Sequence, residues 1–173
     1  MTGVAEAELL GRRLTAVQYE IFEWEDEPVP TSIVDAVPKA VILTFEGLTV
    51  LLRWDLRPPT EQLVLLKDSR SVAGRLTQRV DVSRRWGAFL NAKLVAASWA
   101  SQETGDGIQP WAVTLAFAGA GELVVALGEV VNGCLSYIPD SLIVTASRDA
   151  GLSYRPPAAL APAWTSNAAS RDV

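Results

Sequence analysis

The run Ala40-Val41-Ile42-Leu43-Thr44-Phe45-Glu46-Gly47 returns 72 residues on as Ala112-Val113-Thr114-Leu115-Ala116-Phe117-Ala118-Gly119. In the first run Val41, Leu43 and Phe45 alternate with other residues into Glu46-Gly47, and Leu48, Val50, Leu52 and Trp54 alternate out again. A period of two on both sides of a glycine turn reads as a β-hairpin with one buried face. The second run continues in the same way through Leu123, Val125 and Leu127, now 75 residues from their counterparts.

Upstream the likeness is fainter and the spacing is 80: Leu10 to Ala16 echoes Leu90 to Ala96, and Tyr19 falls on Trp99. Drift of this kind follows when loops change length and strands do not. The sequence therefore predicts a duplicated four-stranded unit, with strands over 15–25, 40–45, 48–54 and 62–67 in one copy. In the other copy they run over 93–101, 111–118, 122–128 and 141–147. Each copy opens with a short helical turn, over 5–12 and 83–90. The expected fold is all-β with two short helices: a pseudo-twofold tandem repeat of four-stranded antiparallel units, forming a β-sandwich or barrel because neither half could bury its apolar face alone.

The expected organisation is one domain over 1–153, with repeats of about 5–68 and 83–148. The connector over 68–85 carries Arg70, Arg75, Arg79, Arg84 and Arg85 and reads as a solvated linker partly paired with acidic residues. From Tyr154 the chain turns to Pro, Ala, Ser and Asn and reads as a flexible tail over 154–173, in which Trp164 either docks back or serves as a recognition element.

Composition excludes whole classes of chemistry. The chain has no histidine, so a Ser-His-Asp triad or a histidine-ligated metal is impossible. One cysteine, Cys134, excludes an internal disulfide and reads as a small buried hydrophobe. No Walker motif, dinucleotide fingerprint or metal-ligand spacing occurs, so no catalytic residue, cofactor or metal is assigned. Net charge is −5 and the sequence pI is about 4.8, against the basic balance that nucleic-acid binding requires. No apolar run approaches the roughly 20 residues that span a bilayer, and the N-terminus lacks the basic start of a secretory signal. A cytoplasmic location is expected, and 12 arginines against 3 lysines with abundant alanine suggest a GC-rich bacterial source.

The most distinctive polar stretch is Glu20-Ile21-Phe22-Glu23-Trp24-Glu25-Asp26-Glu27, with five carboxylates and no base. Its alternation changes phase at Ile21-Phe22. A β-bulge there would return Trp24 to the face of Val17 and Tyr19 and gather Glu20, Glu23 and Glu25 on the other. The second copy has almost no charge at the matching place, so the fold does not require these acids. An edge strand charged against aggregation accounts for them without function. A surface for a basic protein partner is the functional reading, with Glu20, Glu23, Trp24, Glu25, Asp26 and Glu27 as its candidate residues. Trp24, Trp54, Trp99 and Trp111 at strand ends form an aromatic rim, half-buried by expectation.

Taken together the residues point to a non-enzymatic protein-interaction module, of which toxin-neutralising (immunity-type) proteins are one physical type. The alternative is a small-molecule-binding or weakly enzymatic β-barrel that uses carboxylates.

Overall fold

Period-two alternation becomes antiparallel strand at all eight places where it was read. The computed structural model describes residues 6–24, 34–55, 62–68, 76–104, 107–132, 134–152 and 163–166. Its strands are β1 (Leu14–Phe22), β2 (Val34–Val37), β3 (Ala40–Phe45), β4 (Leu48–Asp55), β5 (Gln62–Lys67), β6 (Thr77–Asp81), β7 (Leu94–Thr104), β8 (Gly107–Phe117), β9 (Gly121–Leu127), β10 (Glu129–Val131), β11 (Cys134–Ser136), β12 (Leu142–Thr145) and β13 (Ala163–Ser166). Single 3-10 turns lie at Glu6–Glu8 and Gly87–Phe89, where each copy was expected to open, and one short helix, α1, covers Arg148–Leu152. No described helix is long and apolar enough to cross a membrane.

The strands form two antiparallel sheets, ordered β5-β4-β3-β1-β6 and β13-β7-β8-β9-β12-β2, with β10 and β11 as a separate hairpin. Neither sheet closes on itself among the described residues. Apolar residues of both sheets form one contiguous core: Val17, Tyr19, Val41, Leu43 and Phe45 from the first meet Val113, Leu115, Phe117 and Val125 from the second. Phe45 and Phe117 stack with ring centroids 6.4 Å apart, and Phe89 sits edge-on to Phe117 at 5.5 Å. Burying a phenylalanine side chain contributes about 1.5–3 kcal/mol, so this aromatic contact is a large part of the inter-sheet adhesion.

The two sheets meet at a short backbone seam. Gly11 N–H donates to Leu94 O at 2.8 Å and Asn91 N–H to Leu14 O at 2.7 Å. Leu14 N–H donates to Ala92 O at 3.1 Å and Leu94 N–H to Arg12 O at 2.9 Å. Gly11 and Asn91 both take positive φ, 80° and 63°, a conformation that glycine adopts freely and asparagine tolerates better than most residues. The ladder shifts between Leu14 and Ala16 on β1 and between Leu94 and Ala96 on β7.

That placement corrects the expected bulge at Ile21-Phe22. β1 is paired on both sides, and its register against β6 runs unbroken from Gln18 to Phe22. An extra residue at Ile21-Phe22 would break that ladder, whereas near Leu14 it only bends the strand where it enters the seam. Val17, Tyr19 and Ile21 therefore stay on the core face, and Glu20 and Phe22 take the other.

Three further elements depart from expectation. Val34–Val37 belongs by sequence to the first copy but pairs as β2 with β12 of the other sheet. Thr77–Asp81, inside the connector expected to be solvated, is β6 and pairs with β1. Ala163–Ser166, within the segment expected as a tail, pairs as β13 with β7, giving that strand's outer backbone a partner. Cys134 is exposed on the β11 hairpin rather than buried, and Trp111 is fully buried rather than on a half-exposed rim.

Candidate interaction surface at one end of the first sheet

Antiparallel register decides which side chains meet here. Glu20 lies opposite Ala40, and Ala40 lies opposite Arg53. The end of β1, the start of β3 and the end of β4 therefore share one end of the sheet. Phe22, Trp24, Lys39 and Trp54 come together there. Trp24 stacks on Phe22 with ring centroids 4.8 Å apart and an interplanar angle of 12°, as side chains two apart on one face can. The Lys39 ammonium stands 4.8 Å from the centre of the Phe22 ring and 5.3 Å from that of Trp54. The Trp54 indole N–H donates to Pro38 O at 3.0 Å, which fixes its ring beside Lys39.

Trp24 is 66% exposed, so one face of its indole is packed on Phe22 and the other is open. Glu23 beside it is also exposed, and its backbone N–H donates to Leu76 O at 3.0 Å. Leu76, 56% exposed, adds apolar surface next to Glu23. Glu25, Asp26 and Glu27 lie outside the described residues.

Glu20 does not belong to this surface. It is buried on the far face of the sheet, 3.9 Å from the Arg79 guanidinium, which itself makes two hydrogen bonds to Asp68 at 2.8 and 3.0 Å. The bond to Asp68 raises the pKa of Arg79 further and keeps it charged. The expected pairing of connector arginine with acidic strand is thus present, in the form of a buried cluster. A carboxylate held this way compensates a buried cation and is not offered to a partner.

A second polar cluster lies in the core. Tyr19 O–H donates to Asp35 Oδ2 at 2.8 Å, the Trp86 indole N–H donates to Tyr19 Oη at 2.6 Å, and Arg85 Nε donates to the same Asp35 oxygen at 2.5 Å. Asp35 is 1% exposed and stands on β2, so this network ties the crossing strand to the first sheet and to the turn before β7. Burial, reinforced by the Asp35 charge, raises the Tyr19 pKa well above the ordinary tyrosine value, and the phenol stays protonated as the donor. No sequence motif announced this cluster. Its four residues are spread over three elements, and only the β2 crossing assembles them.

No protein-family model matches the chain, and searches of curated proteins and of solved structures return no match.

Proposed function

We propose that the chain is a non-enzymatic interaction module that binds a basic protein partner through the Trp24 end of its first sheet. The observation that carries this reading is the open indole face of Trp24, set beside exposed Glu23 and stacked on Phe22. An exposed tryptophan at the edge of an otherwise well-buried aromatic set is the kind of anchor that protein interfaces use, and acidic neighbours select a cationic counterpart.

The scaffold argument supports it. We read the fold as a pseudo-twofold duplication packed as a two-sheet sandwich, from the repeated strand order and the reciprocal seam bonds between residues 80 apart. The places of Phe22 and Trp24 are taken in the other copy by Gln102 and Thr104, so the aromatic pair is not a requirement of the fold. A toxin-neutralising protein of a bacterial cytoplasm is one module of this type. The alternative reading, a ligand-binding β-barrel with working carboxylates, has less support: Glu20 and Asp68 both engage Arg79, and the core between the sheets is filled.

The test is capture of partners from the source cell by the full chain and by Trp24→Ala and Glu23→Gln variants. Loss of one specific, basic protein from both variants supports the surface. Recovery of the same partner by both with unchanged salt dependence removes it.

A further inference from the structure

Lys39 is the residue that the interaction surface leaves unexplained. Acidic side chains are plentiful in this copy, yet among the described residues the Lys39 ammonium has no carboxylate partner. It rests on the faces of Phe22 and Trp54, at 4.8 and 5.3 Å from their centres. Both distances are within the roughly 6 Å over which a ring face attracts a cation. The lysine is half-buried, so part of its hydration has been exchanged for aromatic contact. Nothing in the pairing of β3 demands a cation at this position, and the corresponding residue of the other copy is Trp111, a plain core side chain.

We infer that Phe22, Trp24 and Trp54 form an aromatic site for one ammonium side chain of the basic partner, and that Lys39 is its resident occupant, displaced on binding. The inference rests on the proposed interaction surface and names what that surface reads. Lys39 makes the displacement low in cost, because its flexible stem can carry the ammonium back into water without breaking an ion pair. Trp24 completes the site: its inner face is fixed on Phe22, and its outer face, beside Glu23, meets the incoming cation first. With Lys39 in place the aromatic site is kept covered. A cation therefore enters only when neighbouring contacts hold it near, and this makes the surface selective against free cations.

The experiment is an NMR titration of the full chain with acetyl-tetralysine amide, read at the indole N–H signals of Trp24 and Trp54, with acetyl-tetraglutamate amide as the control. Lys39→Ala empties the site, Lys39→Met removes the charge but keeps the stem on the rings, and Lys67→Ala removes an equal charge elsewhere. The expected result is that Lys39→Ala binds tetralysine up to about tenfold more tightly than the native chain, the range a partly desolvated cation–π contact supplies. Lys39→Met and Lys67→Ala should shift the affinity by less than twofold, and Trp24→Ala should weaken it. Equal tightening in Lys39→Ala, Lys39→Met and Lys67→Ala would mean that only net charge matters, and would overturn the inference. So would an unchanged affinity in Lys39→Ala. Neither result touches the partner-capture test, which fails only if Trp24 and Glu23 are dispensable for the protein partner.

Discussion

Arg13 and Lys93 face each other across an isolated antiparallel bridge, and they are the same position of the two copies, 80 residues apart. Every seam bond on one side of that bridge has a counterpart on the other with the numbers exchanged. The relation extends to side chains. The Trp86 indole donates to Tyr19, and the Trp99 indole donates to Glu6, where Glu6 matches Trp86 and Trp99 matches Tyr19. The contacts that join the halves are therefore made twice, each half supplying the donor indole once.

From this seam it follows that neither half is stable alone. Residues 1–82 lack the second sheet against which Phe45 and Leu43 are buried, and residues 83–173 lack β2 on the edge of β12. Each fragment expressed singly is expected to be unfolded or aggregated, because a two-layer core needs both layers. Mixed together, they should recover native amide dispersion. A well-dispersed spectrum from either fragment alone would contradict the shared core.

Phe45→Ala or Phe117→Ala should each cost roughly 3–5 kcal/mol of unfolding free energy in denaturant titrations, as large-to-small changes in a filled core do. The two rings touch, so the double variant should lose less than the sum, by about 0.5–1.5 kcal/mol. Strict additivity would show that the rings do not interact.

Tyr19 makes stability fall in alkali. Its pKa is raised in the folded chain above the ordinary value of 10.0, so the stabilisation is fully present below pH 10. Above that pH the unfolded chain releases a proton that the folded chain keeps, and stability should drop by about 1.4 kcal/mol per pH unit. Tyr19→Phe should remove one proton from that slope between pH 10 and 11. At neutral pH it should cost about 1–3 kcal/mol, since the Trp86 indole loses its acceptor and Asp35 a donor. Urea titrations at pH 7, 10 and 11 measure both effects, and parallel slopes for the two proteins would refute the assignment.

Neighbouring acids should behave oppositely. Glu23→Gln, at an exposed site, should leave stability within about 0.5 kcal/mol. Glu20→Gln removes the buried carboxylate beside Arg79 and should cost about 1–3 kcal/mol. Comparable urea midpoints for the two variants would show that Glu20 is not part of the buried cluster.

Gly151 in α1 leaves no room for a larger residue: a Cβ there would stand 2.9 Å from Val124 Cγ1. Gly151→Ala should cost about 1–3 kcal/mol by overpacking. Pairing it with Val124→Ala should restore much of the loss, and failure to do so would place α1 elsewhere.

The parts of the fold that show in the sequence are those held by a repeating apolar face. Val41, Leu43 and Phe45 alternate because one side of β3 is buried and stays so for its whole length. β2 was not legible for the opposite reason. Val34-Asp35-Ala36-Val37 is four residues long, carries a charge and lies between prolines, and Asp35 is tolerated in the core only because Tyr19 and Arg85 meet it there. β6 was hidden by its arginine, whose charge is balanced by Asp68 far away in the strand order. The aromatic surface was half legible. Trp24 stood out, but its face depended on a bulge whose place is decided by pairing with β6, and Lys39 precedes its strand with no pattern to mark it.

The crossing of β2 has a mechanical consequence. Its chain enters from β1 and leaves to β3, both in the first sheet, while its backbone is bonded to β12 of the second. A force that drew the sheets apart would load β2 before it loaded the rest of the core. The whole β2–β12 ladder, and the Asp35 contacts behind it, would have to give way before the two layers could part. The strand acts as a tie, and the layers are expected to yield at high force and over a short extension rather than peel gradually.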